Sequence, residues 1–158
     1  MQRRVIAPTP DSPASHAVGI DFDDTLAAHD RGWQNGLIYG QPIPGAIEAL
    51  RLLADHRAVF VCTARPDSHL AAVADWVTRH SGLPALVDTS RARSYWLERG
   101  LVLVTNRKLG AARYVDDRAV AFTGDWAEAL TAVAQGIGLP PDALPRRRPA
   151  DGRPHTSH

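Results

Sequence analysis

Asp21, Asp23 and Thr25 close the apolar run Ala17-Val-Gly-Ile in the order Asp-Phe-Asp-Asp-Thr. A short apolar run ended by turn-forming residues reads as a buried strand. Alternation along an extended chain sends the Asp21 and Asp23 side chains to the same side. Acids at the carboxyl end of such a strand sit where open α/β sheets bind ligands. Two crowded carboxylates repel each other, and a divalent cation that prefers oxygen ligands, such as Mg²⁺, relieves the repulsion. The plain alternative is a pair of turn or helix-capping aspartates.

Three later blocks bear on that choice. Ala58-Val-Phe-Val-Cys-Thr63 is a second apolar, β-branched run, and Pro66 stops it. Its terminal hydroxyl is either a turn threonine or a donor to a phosphate oxygen. Lys108 follows a third run, Leu101-Val-Leu-Val-Thr, and is the only lysine in the sequence. It is either a solvated surface residue or a point charge for phosphate or a nucleophilic carboxylate. Arg113-Tyr-Val-Asp-Asp117 ends a fourth run in two adjacent acids, which repel unless a cation or a base such as Arg118 compensates.

The elements that must position these residues alternate strand and helix. Strands are expected at 17–22, 58–62, 101–104 and 113–116; 85–87 reads as either a short strand or an extended loop, and 120–122 is a candidate further strand. Helices are expected at 45–55 (Ala46, Leu50 and Leu53 on one stripe), 68–80 (Leu70, Val73, Ala74 and Val77), 90–99 with Gly100 as its stop, and 126–135. Trp76 lies off the stripe of its helix. Asp125-x-x-Glu128 is a capping-box-like start for the last helix, with Trp126, Ala129, Leu130 and Val133 as its apolar stripe. Such alternation implies βαβ units around a parallel sheet, with right-handed crossovers placing helices on both faces.

A length of 158 residues favours one domain with a sizeable core. Cys62 is the single cysteine, which excludes an internal disulfide framework and points to a reducing compartment, the cytoplasm. Inside an apolar run, Cys62 reads as a core residue rather than a nucleophile. No apolar run approaches the ~20 residues that span a bilayer. Arg3 and Arg4 are followed by prolines rather than by the apolar core of a secretory signal. Residues 1–16 and 141–158 are Pro-rich and basic, which favours disordered tails around a core at 17–140. Arg146 to Arg148 read as a solvated run or as a contact for nucleic acid or an anionic surface.

Taken in order, Asp21-x-Asp-x-Thr, the strand ending in Thr63, Lys108, and the strand ending in Asp116-Asp117 resemble the haloacid-dehalogenase-like phosphohydrolase superfamily, over residues 17–135. Pro42-Ile-Pro-Gly-Ala, Thr63-Ala-Arg, Val104-Thr-Asn-Arg-Lys and Tyr114-Val-Asp-Asp-Arg-Ala-Val look like its small capless members from bacteria and phages. Asp24 stands where many relatives carry glycine, and Leu109 where many carry proline. The resemblance implies a three-layer, Rossmann-like α/β core whose central strand ends at Asp21, flanked by the strands ending in Thr63 and Asp116. The intervals 26–44 and 83–100 are too short for a cap domain.

The resemblance also implies Mg²⁺-dependent hydrolysis of a phosphate monoester through an aspartyl-phosphate. Asp21 would be the nucleophile and Asp23 the general acid and base, with Thr63 and Lys108 holding the phosphoryl group. The Mg²⁺ ligands would be the Asp21 and Asp116 carboxylates and the Asp23 main-chain carbonyl, with Asp117 supporting Asp116 or sharing its role. An acid at position 23 favours phosphoryl over halide chemistry. Arg65, Arg107, Trp33 and Tyr39 are candidates for contact with a phosphorylated small molecule, nucleotide or nucleic-acid end. The alternatives are a non-catalytic binding or regulatory protein on the same fold, and a phosphotransferase using the same residues.

Overall fold

The computed structural model of the chain describes residues 12–146. The outer parts of the two expected tails, 1–11 and 147–158, lie outside the described residues, Arg147 and Arg148 among them. The chain divides into two compact units, which meet in sequence between Asp117 and Arg118.

The first unit is built on a five-stranded, all-parallel sheet. In chain order its elements are β1 (Ala17–Asp21), α1 (Ala46–His56), β2 (Ala58–Cys62), α2 (Leu70–Ser81), β3 (Ala85–Val87), β4 (Val102–Thr105) and β5 (Arg113–Val115). The strand order is β3-β4-β2-β1-β5, so β1 is flanked by β2 and β5. This is an α/β protein whose sheet and helices are consistent with a Rossmann-like three-layer fold.

Burial explains the strands. Ala17 to Ile20 and Ala58 to Val61 are buried along their whole runs, as strands covered on both faces must be. Gly19 is required by close approach: a Cβ there would lie 2.6 Å from the Phe60 ring and 2.8 Å from the Tyr114 ring, which lean over it from the two neighbouring strands.

One face of the sheet is covered by α1 and α2. Ile47, Leu50 and Ala54 of α1, and Leu70, Val73 and Val77 of α2, pack with Val18, Ile20, Val59, Val61, Val102 and Val104. Trp76, expected off the stripe, belongs to this core. It meets Phe22 edge-on at 5.0 Å and donates from Nε1 to the Gly40 carbonyl at 3.0 Å.

The other face is covered by Trp96 and Leu109, packed on Ala17, Ala58, Phe60 and Leu103. The helix expected at 90–99 is not formed, and Trp96 arrives on irregular chain. Arg107 donates to the carbonyls of Ser90, Arg91 and Arg93, and the Gly110 amide donates to that of Ser94. Those carbonyls are the acceptors a helix would have used for its own amides. Asp88, at the end of β3 with its side chain buried, completes the knot: it accepts from Thr105 Oγ1 at 2.9 Å, the Ser90 amide at 3.1 Å and Arg93 Nε at 3.1 Å. Its desolvation is outweighed by these hydrogen bonds, and its carboxyl is held below the usual range.

The intervals expected to lack a cap contain no further domain. The chain between β1 and α1 folds back on itself. Ala27 bridges Pro42, and Ala28 N and Ile43 N donate to Gln41 O and Leu26 O. The approach is so close at Gly40 that a Cβ would fall 1.8 Å from the Ala28 oxygen.

In the second unit, helix α3 spans Trp126–Ile137 and ends at Gly138 with φ 71°. The Asp125 side chain caps it, accepting from the amides of Ala127 at 2.8 Å and Glu128 at 3.3 Å. Glu128 accepts from the Thr123 hydroxyl at 2.7 Å. Of the expected stripe only Ala129 is buried, and Trp126 is 74 % exposed. Val120 to Phe122 are not a strand.

Candidate functional site

Parallel registration brings the expected residues to one edge. Ile20 pairs with Val115 and Asp21 with Cys62, so Asp21, Asp116 and Thr63 all stand at the carboxyl ends of adjacent strands. One carboxylate oxygen from each of Asp21, Asp116 and Asp117 lies within 4.8 Å of the others. Asp21 is half-buried, and its carboxyl is pushed up from 3.8 to about 7, first by burial, then by the Asp116 charge and a hydrogen bond with Asp117. Thr25, part of the opening motif but given no role there, accepts from the Asp117 amide at 3.2 Å and donates to its carboxylate at 3.3 Å.

After Asp21 the chain turns tightly. The Leu26 and Ala27 amides both donate to Phe22 O, and Asp24 N donates to Ala27 O at 2.8 Å. Asp24 sits at φ 57°, in the left-handed region that glycine prefers and aspartate tolerates. Its carboxylate accepts from the His29 amide at 2.8 Å.

The Asp23 carboxylate is not one of the three acids in that cluster. Arg65 grips it through both terminal nitrogens, at 2.8 and 3.0 Å, and His29 Nδ1 lies 3.1 Å from Oδ1. His29 is stacked on Tyr39, and no short motif flagged it in the sequence. Tyr39 is held by Arg31, whose amide donates to its hydroxyl and whose guanidinium lies 4.1 Å over its ring.

Thr63 is buried at the end of β2, and its amide donates to Thr105 O at 3.0 Å. Its Oγ1 accepts from Arg65 Nη1 at 3.0 Å. A hydroxyl whose oxygen is used as an acceptor still has its O–H to give.

Lys108 is exposed, with Nζ 4.8 Å from the centre of the Tyr114 ring. Leu109 beside it is buried against the sheet. The charges of Asp21, Asp116 and Lys108 all act on the Cys62 thiol. Burial pushes that thiol up, the two acids add to the rise, and Lys108 opposes it. Cys62 is part-buried and donates to Arg107 O at 3.6 Å.

The two arginines named as substrate contacts are both engaged with the protein. Arg65 is 1 % exposed, and Arg107 ties down residues 88–93, with Nη2 also 3.6 Å from Asp88. A cleft of about 610 Å³ lies at the same edge of the sheet, beside Asp67, Asp88, Ser90, Arg91 and Asn106. A groove of about 660 Å³ in the second unit, walled by Trp126, Leu130 and Leu144, holds none of these residues. Among the described residues no helix is long and apolar enough to cross a membrane.

Fold and site together define an α/β protein with a cluster of carboxylates at the carboxyl edge of a parallel sheet. No family model and no curated protein matches the sequence. Among solved structures, the chain is similar to a conserved protein from Bacteroides thetaiotaomicron. The identity is 27%, over 77% of this chain and 92% of that one, with a TM-score of 0.46.

Proposed function

We propose that this chain is a Mg²⁺-dependent phosphohydrolase of the haloacid-dehalogenase-like type, cleaving phosphate monoesters through an aspartyl-phosphate on Asp21. What supports this reading most is the gathering of Asp21, Asp116 and Asp117 within 4.8 Å, with the Asp21 carboxyl pushed up to about 7. Burial and neighbouring acids disfavour the Asp21 anion where it stands, and a cation among the three carboxylates would relieve this. Three hard oxygen donors fit Mg²⁺, and Asp21, Asp116 and Asp117 would hold it. When bound, the cation would keep Asp21 ionised and offset the charge of the phosphoryl oxygens.

The remaining work falls to side chains. Asp21, at the end of the central strand, attacks phosphorus. The Thr63 hydroxyl donates to a phosphoryl oxygen, its own oxygen being fixed by Arg65. Lys108 leaves the Tyr114 ring to meet the phosphoryl group as a compact charge. Asp23 protonates the departing oxygen and then takes a proton from the water that releases phosphate. The absence of a cap domain in both intervals leaves the edge open to esters of varied size, and the substrates are phosphorylated small molecules, nucleotides or nucleic-acid ends.

Phosphate release from p-nitrophenyl phosphate tests the reading. Turnover should require Mg²⁺, vanish with a chelator, and be lost in Asp21→Asn, because an amide oxygen is a poor nucleophile and a poor metal ligand. Equal turnover by the wild-type chain in excess chelator, or by purified Asp21→Asn, would refute it.

A further inference from the structure

Arg65 makes four side-chain hydrogen bonds, all to protein groups. Nε donates to Gly36 O at 2.7 Å, Nη1 to Asp23 Oδ2 at 2.8 Å and Thr63 Oγ1 at 3.0 Å, and Nη2 to Asp23 Oδ1 at 3.0 Å. Its side chain is 0% exposed, and its guanidinium lies 5.2 Å from the centres of both the Phe22 and the Trp33 rings. The backbone on either side is pinned as well: Arg65 N donates to Thr63 Oγ1 at 3.4 Å, and Asn106 Nδ2 donates to Arg65 O at 3.1 Å. Burying a guanidinium is costly unless it is paired and hydrogen-bonded. Here the pairing joins the two residues that the proposed chemistry needs in fixed relation, the proton donor and the phosphate-holding hydroxyl.

Resting on the phosphohydrolase reading, we propose that Arg65 is a positioning residue that fixes the Asp23 carboxylate for proton delivery to the leaving group, in register with Thr63. The two carboxylate oxygens are not equivalent. Oδ1 faces both Arg65 Nη2 and His29 Nδ1, whereas Oδ2 faces Arg65 Nη1 alone. Oδ2, with one partner against two for Oδ1 among the described residues, is the oxygen with a lone pair left for the leaving group. In the proposed reaction the proton that Asp23 delivers passes to the ester oxygen, which leaves as a neutral hydroxyl with the electron pair of its bond to phosphorus. Asp23 is left as the anion that the bidentate guanidinium holds best. Lysine cannot copy this role, because a point ammonium does not span two carboxylate oxygens and a hydroxyl at once.

The test compares two aryl esters in the presence of Mg²⁺. The leaving group of p-nitrophenyl phosphate departs readily as an anion, whereas that of phenyl phosphate needs the proton. The quantity measured is kcat/KM, which ends at leaving-group departure. Arg65→Lys should lower kcat/KM for phenyl phosphate by about 10²-fold, the scale of a general acid, and for p-nitrophenyl phosphate by about tenfold less. In an Asp23→Asn background, where no acid remains to be oriented, Arg65→Lys should no longer separate the two esters. Should lysine unfold the chain, Arg65→Ala with added guanidinium reads the same ratio. An equal loss on both esters, or a separation that persists without Asp23, overturns the proposal while leaving the phosphohydrolase reading intact. A wild-type chain inactive on both esters overturns the two together.

Discussion

Asp21 makes the chemistry testable without a substrate. Its carboxyl is raised from 3.8 to about 7, so between those values the folded chain holds a proton that the unfolded chain has released. Stability from this group is full below about pH 4 and falls as pH rises toward 7. Asp88 works in the opposite sense. It is held low in the fold, so its contribution is present above the ordinary aspartate range and is lost only in more acidic solution. The interval from pH 5 to 7.5 therefore isolates Asp21. In metal-free buffer the wild-type chain should lose stability across that interval relative to Asp21→Asn, which has no proton to release. Urea midpoints at several pH values measure this, with histidine titrations common to both proteins cancelling in the difference. Parallel profiles would mean that Asp21 does not feel Asp116 and Asp117 as the structure has it.

At the level of elements, Gly19 shows how tightly the strands hold the site. Gly19→Ala would press a methyl group into the Phe60 and Tyr114 rings. Tyr114 is partly exposed and can swing away, but Phe60 is locked against Trp96 and Leu103. The substitution should cost about 1–3 kcal/mol, the range for overpacking a core, read as a lower urea midpoint at unchanged m-value. A change within about 0.3 kcal/mol would mean that β1, β2 and β5 are less closely apposed than described. The same elements mark what the sequence made legible. The strands carrying Asp21 and Thr63 were readable because each is a continuous apolar run closed by a polar residue, a signal contained within the run itself, whereas β5 is three exposed residues and was read from the acid pair that follows it. The segment 90–99 was not, because its helical alternative is removed by Arg107, a side chain that comes later in the chain and takes its carbonyls. Arg65 was noticed for its place beside Thr63, but its true partner lies across the loop after β1, and no spacing rule links positions 23 and 65. His29 was missed for the same reason.

For the whole molecule, the division at Asp117 sets where a metal would be felt. The acid cluster lies entirely in the unit containing the sheet, and residues 118–146 contribute none of it. A cation that binds only the folded cluster stabilises that unit by mass action, by about 2.7 kcal/mol at a hundredfold excess over Kd, or on the order of 5–10 °C in Tm for a chain of this size. Binding needs Asp21 ionised, so the gain should be largest above pH 7 and shrink toward pH 5, where protons compete for the same carboxylate. Tryptophan fluorescence can assign the effect. Trp33, Trp76 and Trp96 lie in the sheet unit, the last two buried, whereas Trp126 is exposed on α3. In a Trp126→Phe variant the emission transition reports the sheet unit. Mg²⁺ should raise its midpoint at pH 8, by much less at pH 5, and not at all in Asp21→Asn. An unmoved midpoint at pH 8 in millimolar Mg²⁺, or an equal rise in Asp21→Asn, would show that Asp21, Asp116 and Asp117 do not form a metal site, and the hydrolytic reading built on them would fall.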